Sequence, residues 1–381
     1  MTASTSYQAR ILDSADALGK EQWNALAGTD HPFTRYEFIH ALENSGSATA
    51  ETGWQPCHII IEDHHQNPKA LMPAYLKSHS YGEYVFDHNW AHAYEQAGGR
   101  YYPKLQISIP FTPATGPRFL TKDEEAAPLL IEAAKTLCLN NGFSSLHCTF
   151  LNEKDCRIAK NAGLAIRHDE QFHWTNDGYQ NFDDFLDALA SRKRKAIRKE
   201  RKTALENDIT VQILNGQDIT EAHWDAFFTF YQDTGARKWG TPYLTRSFFS
   251  QIGQNMGEQI VLILAYREGR PIAGALNFKG KTTLYGRYWG AIEHHPFLHF
   301  ELCYYQAIDY AIRHGLSRVE AGAQGAHKVA RGYAPVATRS AHWMANESFH
   351  DAVREFVSAE RDEVDFQIKH LTRHTPFKKN P

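Results

Sequence analysis

Glu320, His327, Lys328 and Arg331 flank a glycine-bearing loop, and their types suggest proton transfer and anion binding. Glu320 stands near the end of the run LSRVE, Gly322 and Gly325 follow it, and the three basic residues come after the glycines. A carboxylate at the end of a strand that enters such a loop can take a proton, and a Lys or Arg beyond it can hold a phosphate or a carboxylate. Tyr288, which closes the run KTTLYGRY, can donate a proton or orient a substrate. Each residue also has a plain structural reading. A strand glutamate pairs with an arginine such as Arg318 or Arg331, and a strand tyrosine edges a core with its hydroxyl satisfied.

Two further groups are rich in histidine and acid. Glu293, His294, His295, His299 and Glu301 lie within nine residues, and Asp87, His88 and His92 form a second set. Neither has the HExxH motif, so no metal is expected. His299 and Glu301 are read as lining a polar substrate pocket. No GxSxG elbow occurs, which argues against a serine hydrolase. Cys303, one turn after His299, reads as packing.

The segment Ser191–Lys202 packs eight basic residues against one acid, Glu200. Like charges at i and i+4 repel on a helix, so something anionic must offset them. Arg194 and Arg198 are candidates for holding the phosphates of a donor or of RNA. The alternatives are a solvated face neutralised by acids from elsewhere, or an architectural helix.

The elements that must position these groups follow from periodicity. VLILAY and IAGALNFKG flank a turn at Gly269 and Pro271 and form a hairpin, and Lys281–Tyr288 is a third strand interrupted by Trp289 and Gly290. From Leu298 the apolar spacing turns helical through Ile312, with His314 and Gly315 as the stop, before the strand LSRVEAGAQG. Upstream, helices are expected over Glu21–Ala27, Thr34–Asn44, Glu124–Asn141 and Glu153–Ala162. A hairpin is expected over HIIIEDHHQNPKALMPAYL, and strands over Ser145–Leu151 and Ile166–Trp174. Tyr81–Leu120 reads as a long irregular connection with a strand at KLQISI. Phe182–Glu206 reads as one long helix, followed by the strand ITVQIL.

Composition sets the outer limits. The chain has 381 residues, 42% of them apolar and 22% charged, a globular profile with room for two domains. The formal net charge of −3 gives no overall pull toward nucleic acid. The five cysteines are scattered with no CxxC pair, which fits a reducing compartment. No run of about eighteen apolar residues occurs and the first residues lack an apolar signal core, so no membrane span and a cytoplasmic location are expected.

The two halves echo each other. One helix ends in NGFSSLH and another in HGLSRVE, which aligns Gly142 with Gly315 and His147 with Glu320. GRYYPKLQISIPF from Gly99 and GRYWGAIEHHPF from Gly286 match further upstream if the first half carries an insertion of about a dozen residues. The plainer explanation is that two helix ends share glycine by the usual stop rule. The first half has no counterpart of the Gly-Ala-Gln-Gly-Ala-His-Lys run, so the second copy is expected to carry the site.

The doubled hairpin, third strand, helix and strand order resembles the tandem fold of the GNAT superfamily. The blocks YGEYVFDHNWAHAYEQAGGRYYPKLQISIPFTPATGPR, SRKRKAIRKERK, HFELCYYQAIDYAI and VEAGAQGAHKVARGYAPV are similar to its FemAB-like branch of N-acyltransferases, of the peptidoglycan biosynthesis or recognition type. The resemblance implies a mixed α/β fold of two GNAT-like domains, residues 1–175 and 176–381, the second opened by the basic helix. It implies transfer of an acyl or aminoacyl group from an activated donor to a small-molecule or peptidyl amine, in the second domain. Lys328 matches a lysine of the family's loop motif, and Arg194-x-x-Ile197-Arg198-Lys199 resembles the helix that opens the second domain. Where acyl-CoA-dependent relatives carry a Gln/Arg-x-x-Gly-x-Gly/Ala pyrophosphate loop, this chain has WGAIEHHPFLHFE. The donor is therefore either acyl-CoA or aminoacyl-tRNA, with tRNA a partner in the second case. The other reading is a non-catalytic protein that binds a cell-wall peptide or RNA in a crevice between the domains.

Overall fold

The computed structural model describes residues 7–238, 242–322 and 325–378. They form two compact units. The first holds the described residues up to Asp169 together with Ala337–Asp365, and the second holds Glu170–Val336 together with those from Phe366 on.

The first unit opens with β1 (Tyr7–Leu12), α1 (Lys20–Ala27), α2 (Tyr36–Asn44), β2 (Trp54–Pro56), β3 (His58–Asp63), β4 (Pro68–Met72) and β5 (Tyr75–Lys77). It continues with α3 (His88–Gln96), β6 (Lys104–Ile107), β7 (Leu120–Thr121), α4 (Ala126–Asn141), β8 (Ser145–Cys148), α5 (Glu153–Asn161) and the first half of β9 (Ala165–Thr175). β1, β3, β4 and β7 make one antiparallel sheet. β2, β5 and β6 pair antiparallel, and β6 then runs parallel to β8. A parallel pair needs a crossover, and α4 supplies it. Its buried Leu130, Ile131, Ala134 and Cys138 pack on Leu105, Ile107, Leu146 and Cys148, and Gly142 ends the helix in the left-handed region at φ +67.

The second unit comprises the rest of β9, α6 (Phe182–Ala188), α7 (Ser191–Ala204), β10 (Ile209–Asn215), α8 (Glu221–Lys238), α9 (Arg246–Met256), β11 (Ile260–Arg267), β12 (Arg270–Lys279) and β13 (Thr283–Ala291). A helix follows in three parts, α10 (Leu298–Phe300), a π turn (Glu301–Tyr305) and α11 (Gln306–Arg313), and then β14 (Arg318–Glu320). The sheet order is β10-β11-β12-β13-β14-β9, antiparallel except between β13 and β14. Val261, Ile263, Ala275, Leu284 and Val319 bury one face of it against Leu302, Tyr305, Ile308 and Ile312. β15 (Ala334–Met344) and α12 (Glu347–Thr372) complete the chain, and most of both belongs to the first unit. The fold is mixed α/β in two units. No helix among the described residues is long and apolar enough to cross a membrane.

Three local expectations need correction. The connection expected to be irregular contains α3, whose residues bury only Trp90 and Ala91 and so show little apolar periodicity. The long helix expected over Phe182–Glu206 breaks at Leu189 and Ala190, which are extended because the C-terminal segment pairs there. Ala190 N–H donates to Pro376 O at 2.9 Å and Lys378 N–H to Ala188 O at 3.0 Å. The third strand runs through Trp289 and Gly290 instead of stopping at them. A Cβ on Gly290 would lie 2.2 Å from the carbonyl oxygen of Phe230, so the glycine marks a close approach by α8 rather than a break. Ala323 and Gln324, part of the strand and loop expected after Gly315, lie outside the described residues.

In the first unit the strands β6, β8 and β15 carry an apolar face against α4 and a polar face opposite. Lys104, Gln106, Ser145, His147 and His342 make the polar face, and all are buried. Lys104 Nζ donates to Ser80 Oγ at 2.8 Å, Glu83 Oε2 at 2.7 Å and Asp87, and Tyr101 O–H donates to Asp87 at 2.7 Å. The Nδ1 atoms of His147 and His342 share one hydrogen at 2.8 Å. Burial, with nearby Lys104, pushes His147 down to about 3, and burial takes His342 well below its ordinary value. Both imidazoles are therefore neutral in the fold but take up protons in the unfolded chain below about pH 6.5. Unfolding is then favoured as pH falls from about 6.5 toward 3, although Glu83, raised by burial to about 7, opposes this at the upper end. Denaturant unfolding between pH 7 and 4 should show this loss, and the His147→Asn/His342→Asn double variant should show a flatter pH dependence. An unchanged slope would rule the pair out as its source.

Candidate active site

β13 and β14 run parallel for only three registered pairs, Thr283 with Arg318, Leu284 with Val319 and Tyr285 with Glu320. β14 ends there, while β13 continues to Ala291. Close to the same level β13 bulges. Its register against Leu276 and Asn277 jumps from Tyr288 to Gly286, leaving Arg287 as an extra residue. β14 thus ends at Glu320, and among the described residues no registered pair between the two strands follows it.

Glu320 stands at this strand end and is 4% exposed. Its Oε1 lies 3.7 Å from Arg318 Nε and its Oε2 3.9 Å from His173 Nε2, both beyond ordinary hydrogen-bond length. His173 is registered opposite Glu320 on β9. Burial pushes its imidazole down to about 3, with Arg318 and Lys328 adding to the effect, so it is neutral. Lys328 closes the other side of this strand end. Its Nζ donates to the carbonyl oxygens of Ala321 at 2.7 Å and Gly322 at 2.9 Å, and burial lowers it to about 8.

The remaining expected residues separate into distinct settings. His327 is exposed, hydrogen-bonds Tyr304 Oη at 2.9 Å, and is lowered by burial and then by Arg331. His299 packs edge-on to Trp289 and Tyr304, in the same aromatic group as His327. Arg331 forks onto Glu200 at 2.9 and 3.2 Å, donates to His327 O at 2.8 Å, and lies 3.5 Å over the Phe300 ring. Glu301, fully buried in the π turn, accepts from Arg201 at 2.9 to 3.2 Å and from Gln306 at 2.7 Å. The charges of Arg331 and Glu301 are thus met within the protein. Tyr288 lies beyond the bulge, with its ring edge-on to Tyr231 of α8 at 5.5 Å. Glu293, from the histidine-rich stretch, accepts from Arg267 and His295. Among the described residues no three His, Cys, Asp or Glu side chains gather as metal ligands.

The basic helix α7 has three stripes. Ile197, Glu200 and Ala204 turn inward. Arg194, Arg198 and Arg201 pair with Asp187 at 2.7 Å, Asp183 at 3.0 Å and Glu301. Arg192, Lys195, Lys199 and Lys202, at spacings of three and four, are exposed and carry no ion pair among the described residues. At a rise of about 1.5 Å per residue that stripe extends roughly 15 Å.

Sequence reasoning missed His173 and Glu200. The signal for the first lay in the duplication. In the first unit Gln106, His147 and His342 are neighbours across β6, β8 and β15, as Tyr285, Glu320 and His173 are across β13, β14 and β9. The same parallel and antiparallel pattern places His147 where Glu320 stands. Glu200 carried no such signal beyond being the lone acid of a basic run. A double-mutant cycle on Glu200→Gln and Arg331→Gln, read by urea unfolding, should give a coupling on the order of 1–3 kcal/mol. A coupling near zero would mean that the fork does not anchor the loop.

A search of curated proteins returns no match. Solved structures of the same fold include the L-PGS of Bacillus licheniformis, at 10% identity and a TM-score of 0.52, with 92% of this chain and 98% of that one covered. FemX aligns at 12% identity and a TM-score of 0.54, covering 91% and 100%. The C-terminal domain of a putative lysylphosphatidylglycerol synthetase from Agrobacterium fabrum aligns at 10% and 0.52, covering 87% and 94%. Likeness at such identities is one of fold. The model of the FemAB-like family, described as peptidoglycan biosynthesis/recognition, matches residues 14–379. Nearly the whole chain is covered, and the protein belongs to the FemAB-like family.

Proposed function

We propose that the chain transfers an acyl or aminoacyl group directly from an activated donor to an amine used in peptidoglycan biosynthesis, and that the reaction takes place where β14 ends in the second unit. The carrying observation is the buried carboxylate of Glu320 at the end of β14, flanked by Arg318 and a neutral His173. In the proposed step the amine nitrogen attacks the donor carbonyl and the new C–N bond forms. The bond from carbonyl carbon to the leaving sulfur or oxygen breaks. Glu320 takes the proton released by the nitrogen, and Tyr288 supplies one to the leaving atom. Lys328 fixes the turn after Glu320 through Ala321 and Gly322, and His327 with His299 borders the acceptor. Arg331 and Glu301 position this loop and the π turn through their ion pairs.

The donor end is assigned to α7. Arg194 and Arg198 are held by acids of α6, and the exposed stripe Arg192-Lys195-Lys199-Lys202 lies beside them. A single pyrophosphate occupies one or two cations, so a stripe roughly 15 Å long favours the polynucleotide of aminoacyl-tRNA over acyl-CoA.

Glu320→Gln should lower the rate of amide formation by roughly 10²- to 10⁴-fold while leaving the melting temperature close to that of the parent. Parallel losses of rate and stability would reduce Glu320 to a structural residue. A parent protein that makes no amide from either donor, yet binds acceptor, would make the chain a recognition protein. Separately, Lys195→Gln/Lys199→Gln should weaken tRNA binding and cut the slope of log affinity against log salt by roughly 1.5. An unaltered slope would remove α7 from the donor site.

A further inference from the structure

We propose that the first unit carries a second, independent ligand site, a groove for an organic phosphate formed by α5, the start of β9, β15 and α12. The cavity has a volume of about 860 Å³, within the usual range of small-molecule pockets. Lys160 comes from α5, Arg339 from β15, and Arg354 and Arg361 from α12, so four cations from three elements meet on one groove with two carboxylates, Asp351 and Glu355. A merely solvated helix face would draw its charges from one element and would have no floor. Here the buried side chains of Leu164, Ile166 and Val357, with Cys156, lie at the bottom.

The cations are weakly engaged by the protein. Arg339 is 3.8 Å from Glu153, and Arg354 is 3.4 Å from Asp351 between exposed side chains. Lys160 has no ion pair among the described residues. Arg361 donates through Nη2 to Ile166 O at 2.8 Å, while its Nε is shielded from solvent and has no acceptor. Guanidinium forks on a groove wall with weak partners suit phosphate oxygens as acceptors. The apolar floor calls for more than a bare anion, so the ligand class is a phosphate joined to an apolar or planar body. This site is separate from the transfer reaction and does not rest on it.

Cys156 on the floor provides the readout. Its alkylation by iodoacetamide in the full chain, followed by peptide mass spectrometry, should be slowed saturably by ADP or by a short-chain phosphatidic acid, with the buried Cys138 and Cys148 as internal controls. The Lys160→Gln/Arg354→Gln double variant changes two exposed side chains and should fold as the parent does. It should need roughly tenfold or more ligand for the same protection. Protection by ADP alone would identify a nucleotide, and protection by the lipid alone a lipid headgroup. Protection by inorganic pyrophosphate alone, by none of the three, or equally in parent and double variant would overturn the proposal.

Discussion

The junction made by Glu200 determines how the second unit holds its loop and its basic helix together. α7 carries so many like charges that it needs carboxylates around it, and its one acid is turned inward, where it accepts from Arg331 and from Tyr305. One turn of helix is thereby tied to the segment after β14 and to the π turn at once. Arg201 on Glu301 makes the second tie. A charge pair of this kind is strongly constraining because loss of either partner leaves the other partly buried without compensation. The π turn follows naturally, since Glu301, Tyr304 and Tyr305 all point to fixed polar partners that a regular α-helix would present at different angles.

The duplicated architecture gives the same constraint two outcomes. In both units a parallel strand pair ends against an antiparallel neighbour, and a titratable side chain stands at the matched register. In the second unit Glu320 stands buried between Arg318 and a neutral His173. In the first, His147 is sealed under Lys104, Asp87 and Tyr101 in a buried hydrogen-bonded cluster. The first unit is therefore not an emptied copy. Its polar face is buried and held by ion pairs from Lys104 to Glu83 and Asp87, which suits a rigid scaffold.

Much of the fold was legible because period and punctuation agree. α4 and α5 carry one apolar stripe, β6 and β8 alternate apolar with polar side chains, and the β3 to β4 and β11 to β12 hairpins are apolar runs about a turn, so local pattern and tertiary packing make the same demand. The site was legible in part. Glu320 and Lys328 could be chosen because a strand running into glycines brings its last side chains to one place. That Arg331 and Glu301 would be neutralised internally could not be read, since their partners lie 131 and 100 residues away in sequence.

The sequence by itself determined the class of fold, the doubling, the position of the basic helix and the candidate carboxylate, because each depends on spacing along one segment. Only the tertiary structure decided the break between α6 and α7, the passage of β13 through Gly290, the return of β15 and α12 to the first unit, and which of eight cations remain exposed. Each of those depends on a partner supplied by a distant segment: the main chain of Pro376, the carbonyl of Phe230, or the carboxylates of Asp183, Asp187 and Glu301. Local propensity has no term for a contact that exists only after the chain has closed on itself.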